Sequence, residues 1–190
     1  MRIPIALVFA ALWFVGCADK PSYDYELGGL PEKAPAWIND PDVNGRFGAA
    51  GGAIQSVGGA RFQQIEASAR ADEILRGRVQ KIGFAAAKRC LIALKNDGAS
   101  VETLNADARL ASLMISAAAS NQFERVDNWW SPSRDHYALL RIAEDQLKAT
   151  IVDMIARFVK SNENYSANFA MLQDLKLIDE AAIEAIAAAK

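Results

Sequence analysis

Few residues in this chain of 190 can carry chemistry, and their spacing limits what they can do. The single histidine, His136, stands beside Ser133 and Asp135 in the run Ser131-Pro-Ser-Arg-Asp-His136. A nucleophilic triad needs its members on separate elements that converge, and residues this close read instead as turn formers. With one histidine and two cysteines, a multi-histidine metal centre, a four-cysteine zinc site and a disulfide framework are all excluded. No metal or cofactor is therefore expected. Cys90, in Ala-Lys-Arg-Cys90-Leu-Ile, falls on the apolar face of a helical pattern and reads as a small buried thiol. Asp72 and Glu73 are adjacent on that helix, so they do not face each other as an acid–base pair would. The glycines of Phe47-Gly-Ala-Ala-Gly-Gly-Ala-Ile54 match neither a dinucleotide fingerprint nor a P-loop, which leaves close backbone packing against a helix as their expected role. Trp129, Trp130, Arg134 and Tyr137 suggest recognition, because Trp, Tyr and Arg dominate binding hot spots. Neighbours on a strand point to opposite faces, so either one tryptophan lies in the core and the other outside, beside Arg134 and Tyr137, as a partner-binding surface, or helices and the C-terminal extension cover both.

These residues must be positioned by a mixed set of elements. Thirty-six alanines favour helices, and the charge balance of 21 Lys+Arg against 23 Asp+Glu lacks the basic excess that nucleic-acid binding needs. Phe47–Ile54 reads as a short buried strand. From about Arg61, Leu75, Val79, Ile82, Ala86, Cys90 and Leu94 trace one helical face, which Gly77 and Gly83 are expected to weaken or break. Asn96-Asp-Gly98 reads as its terminator. A second helix is expected from about Val101, with Leu104, Ala108, Ala111, Ile115 and Ala118 inward and Asn121 at its end. Phe123–Trp130 and His136–Ala143 flank a Pro-containing loop and read as a hairpin. Glu144–Lys160 is the clearest helix, with Leu147, Ile151, Met154, Ile155 and Phe158 on one face. A final helix is expected near Asp179–Lys190, with Asp179 as N-cap and Ile183 and Ile186 as its stripe. Together these predict a small α+β domain: a mostly antiparallel sheet covered by helices, with a helical C-terminal extension.

The first residues read as an address. Arg2 precedes a run from Ile3 to Val15 that is too short to span a bilayer, then Gly16 and Cys17, which describes a secretory signal. Phe14-Val-Gly-Cys17 resembles a bacterial lipobox, which implies acylation of Cys17 and cleavage before it. The expected organisation is a signal over 1–16, a lipid-anchored tether over 17–35, a domain over 36–160 and an extension over 161–190. Residues 18–35 hold three prolines, two glycines and six charges, which leave little to bury.

A resemblance follows from the order of these features. A signal ending in Cys17, a charged tether, Pro35-Ala-Trp37, a glycine-rich strand, Ala67-Ser-Ala-Arg-Ala-Asp-Glu-Ile-Leu75, and a hairpin with Trp129-Trp130 and Tyr137-Ala-Leu-Leu140 on its arms resemble the LPP-twenty lipoprotein family over Pro35 to Ala143. The likeness implies a periplasm-facing lipoprotein of the bacterial outer membrane without catalytic residues, serving envelope organisation or acting as an assembly or flagellar accessory through envelope proteins or self-association. Ala18 after the cysteine agrees with outer-membrane sorting. Two further classes follow from the residues: a periplasmic module binding a small ligand or peptidoglycan, and a hydrolase built on Ser133 and His136.

Overall fold

The computed structural model describes residues 34–43, 45–94, 100–168 and 176–189. Cys17, the tether and the Asn96-Asp-Gly98 terminator lie outside these residues. Three strands, Arg46–Ala53 (β1), Glu124–Trp130 (β2) and His136–Ala143 (β3), form an antiparallel sheet in the order β1-β3-β2. Helices Gly59–Leu94 (α1), Val101–Ser120 (α2), Glu144–Ser161 (α3), the single turn Glu163–Ser166 (α4) and Lys176–Ala187 (α5) complete the α+β fold.

Alternation along the strands decides what each face carries. Phe47, Ala49, Gly51 and Ala53 pair with Ile142, Leu140, Ala138 and His136, and this row faces α1. A Cβ on Gly51 would lie 2.2 Å from the amide nitrogen of Ala71 and 2.3 Å from the Ala67 carbonyl, so the helix backbone rests directly on the strand. This is the expected close approach. The other glycines differ: a Cβ on Gly48 would strike the Pro41 carbonyl, and one on Gly52 the Tyr137 ring. The opposite sheet face is crossed by residues 34–43, whose Pro41 carbonyl accepts a hydrogen bond from Arg141 Nε at 2.9 Å.

Helix α1 does not break at either glycine. Its buried positions run from Gln63 through Leu75, Val79 and Ile82 to Leu94, and Gly83 lies against Ile115 of α2, so packing outweighs about 1 kcal/mol of lost propensity per glycine. In α2, Ser100 caps the first turn by accepting from the Thr103 amide at 3.1 Å. Ala119 rather than Ala118 is the buried residue near its end, the stripe having drifted by one position to meet α1. In α3, Thr150 and Val159 join the expected face and Met154 is only half-buried.

The C-terminal segment departs most from expectation. The described residues from 34 onward belong to one compact unit. Helix α5 begins at Lys176, so Asp179 sits in its first turn instead of capping it. Its buried side is Ile178, Ala181, Ala182, Ala185 and Ile186, packed on α1 and α3, while Ile183 points out at 48 % exposure. Tyr165 of α4 is wholly buried and donates to Asp107 Oδ2 at 2.7 Å. Burial and that bond together raise its pKa.

Candidate partner-binding surface

The hairpin is shaped by its loop. The Ser131 amide donates to the Asp135 carbonyl at 2.8 Å, and the Arg134 amide to the Ser131 carbonyl at 2.9 Å. Arg134 takes up a left-handed conformation (φ 67°), unusual for a residue with a side chain. The buried Gln63 holds it there, donating from Nε2 to the Arg134 carbonyl at 2.9 Å. Within the loop, Ser133 Oγ donates to Asp135 Oδ2 at 2.7 Å, and Ser131 Oγ accepts from the Asp135 amide at 2.9 Å. His136 does not join this network. Its ring is buried on the helix side of the sheet with both nitrogens unpartnered, in an edge contact with Trp130 at 4.5 Å. Desolvation, and then the nearby Arg125 charge, lower its pKa and keep it neutral. Ser133, Asp135 and His136 therefore form a turn, not a charge-relay array.

Neither tryptophan enters the core. Trp129 and Trp130 do point to opposite faces, but β2 is an edge strand, and α1 packs over β1 and β3. A shift of register between Arg125 and Asp127, with Val126 as the extra residue, bends β2 further. All seven residues of β2 are exposed except Trp129, which is half-buried. On the outer sheet face Trp129 lies 5.6 Å from Tyr137 at 41°, and the Tyr137 ring lies over Gly52, so the row runs Trp129–Tyr137–Gly52 across all three strands. Trp37 extends this face by donating from Nε1 to Asp127 Oδ2 at 2.9 Å. The structure thus brings Trp129 and Tyr137 together, puts Trp130 with His136 on the other side, and leaves Arg134 apart at the loop tip.

The two sheet edges differ. Along β1, the Gly48 amide donates to Asp42 Oδ1 at 2.7 Å, the Gly48 carbonyl accepts from Arg78, and the Gly52 carbonyl accepts from Arg70 at 2.8 Å. Arg78 also pairs with both Asp42 oxygens, at 3.0 and 2.5 Å, and lies 3.9 Å above the Phe47 ring. Side chains therefore close the β1 edge. Along β2 the strand is exposed, and an exposed strand edge with aromatic residues is a ready template for another chain.

Elsewhere, a hollow of about 400 Å³ between α1 and α5 is lined by Phe47, Arg78, Lys81, Ile82, Ala185 and Ala189, but Arg78 there is already engaged by Asp42. Cys90 is wholly buried, and burial pushes its thiol up to about 12, so it is inert to attack from solvent. Among the described residues no cluster of three His, Cys, Asp or Glu is placed to hold a metal ion. No described helix is long and apolar enough to cross a membrane. Comparison with family models, curated proteins and solved structures returned no match.

Proposed function

We propose that this chain is a lipid-anchored lipoprotein of the bacterial outer membrane that works by binding envelope proteins or copies of itself, not by catalysis. The observation that carries the protein-binding part is the open β2 edge: a seven-residue strand with six residues exposed, bearing Trp130 and the half-buried Trp129, beside the aromatic row of Trp37, Trp129 and Tyr137. The anchoring part is supported by Phe14-Val-Gly-Cys17 behind its short apolar run, and by the LPP-twenty likeness over Pro35 to Ala143. Recognition of this kind uses backbone pairing for affinity and side-chain pockets for selectivity.

The test has two parts. Intact mass of the detergent-extracted chain is expected to match residues 17–190 plus acyl groups, and the acyl mass is expected to vanish with Cys17→Ala. Crosslinking in intact envelopes is expected to trap a reproducible protein adduct that Trp129→Ser or Trp130→Ser abolishes while the thermal melt is unchanged. A mass without acyl groups refutes the anchor. Adducts indifferent to both substitutions refute the β2 surface.

A further inference from the structure

We propose that the end of the domain built from the β1–α1 turn and the hairpin loop docks on an anionic phospholipid surface, with Val57 and Phe62 entering the headgroup layer and Arg61 and Arg134 meeting its phosphates.

The two loops form one end of the molecule because they are bonded to each other: the Gln55 amide donates to Asp135 Oδ1 at 3.2 Å, and Gln63 Nε2 to the Arg134 carbonyl. Val57 at the tip of the turn is fully exposed, and Phe62 and Ile65, one helical turn apart on α1, are 51 and 60 % exposed. Exposed apolar groups gathered at one place mark an interaction site.

Charge selects the occupant. Arg61 and Arg134 make no ion pair among the described residues, Glu66 is paired with Arg70 at 2.6 Å, and the one unpaired acid, Asp135, held by Ser133 and the Gln55 amide, leaves these groups with a net positive charge. The end is therefore apolar at its tip and cationic at its flanks, the arrangement that favours shallow insertion into an anionic interface. A two-fold contact with a second copy would bring Arg61 and Arg134 against their own kind. The β2 surface used for proteins is separate, and this inference does not depend on acylation of Cys17.

The test uses residues 17–190 with Cys17→Ala, which retains the whole compact unit of residues 33–190 and removes both leader and acyl site. Co-sedimentation is measured with vesicles of pure phosphatidylcholine and with vesicles carrying about one-third phosphatidylglycerol. Binding is expected only to the anionic vesicles, weakening as salt rises. Arg61→Gln and Arg134→Asn are each expected to lower partitioning about fivefold. Asparagine is chosen at 134 because it tolerates the left-handed backbone. Val57→Ser with Phe62→Ser is expected to lower partitioning at least about tenfold. All these side chains are exposed, so an unchanged melt verifies the fold. Equal binding to both vesicle types, or binding indifferent to these substitutions, overturns the proposal. A dimer in sedimentation that Val57→Ser with Phe62→Ser dissociates, without vesicle binding, overturns it in favour of a second copy.

Discussion

Gly51→Ala tests whether the fold depends on backbone-to-backbone contact between β1 and α1. The added methyl would stand 2.2 Å from the Ala71 nitrogen, 2.3 Å from the Ala67 oxygen and 2.9 Å from the Ala71 Cα. Carbon contacts settle at about 3.5 Å, so the helix must withdraw from the sheet by about 1 Å. No side-chain rotation relieves this, because every atom met is main chain. Overpacking ordinarily costs about 1–3 kcal/mol, and a contact with rigid backbone on the far side belongs at or above the upper end. About 3 kcal/mol in a domain of this size is a fall of about 6–12 °C in melting temperature. Two glycines of α1 itself calibrate the measurement. Gly77 has nothing within 4 Å, so Gly77→Ala is expected to gain about 0.5–1 kcal/mol from reduced backbone freedom. Gly83 meets Ile115 side-chain atoms at 3.1 to 3.3 Å, close enough to cancel most of that gain. Thermal melts followed by circular dichroism should therefore rank Gly77→Ala above wild type, Gly83→Ala near it and Gly51→Ala far below. A Gly51→Ala protein melting within about 2 °C of wild type would refute the contact.

Three further outcomes follow from buried groups. The His136 pKa is lowered in the fold, so the unfolded chain binds more protons than the folded one once pH drops below about 6.5. Stability contributed by the neutral ring is full above that value and is lost as pH falls towards the folded pKa. Urea unfolding between pH 7 and 5 should show this slope and show it reduced in His136→Phe, and equal slopes would refute the assignment. Replacing Arg78 by Met leaves the partly buried Asp42 carboxylate without its partner and frees the Gly48 carbonyl, an expected loss of about 2 kcal/mol. Hydrogen exchange should quicken first in residues 34–43, and unchanged protection there would count against a clamp. Cys90 should react with a thiol reagent only at the global unfolding rate, and rapid labelling of the folded chain would contradict its burial.

How far the fold could be read from the sequence depended on whether a pattern is local or relational. Helix α3 was legible because Leu147, Ile151, Ile155 and Phe158 repeat over a span bounded by acidic and basic turns, all information held within 18 residues. The hairpin was legible for a similar reason, since the turn chemistry lies between its arms. The continuity of α1 through Gly77 and Gly83 is not legible locally, because propensity is counted residue by residue while the compensation comes from α2, α5 and the sheet. Gln63 carries a signal of its own: it lies four positions before Ala67 and eight before Ala71, on the buried face of α1. A polar side chain on such a face implies a partner, which here is the Arg134 carbonyl. The Arg78–Asp42 clamp, by contrast, joins residues 36 apart with no pattern between them.

The tryptophans show the limit most directly. A period of two on β2 states correctly that Trp129 and Trp130 occupy opposite faces, but it does not say that either face is covered. Cover depends on which strand lies at the edge and on where the helix runs. Here α1 follows β1 and β3, held to β1 by the absence of a side chain at Gly51, while β2 hangs beyond it with an extra residue at Val126. The Arg125 guanidinium, donating to Ser68 Oγ, ties β2 back to α1. A substitution that pushes α1 away from Gly51 should therefore alter the candidate surface as well as the core.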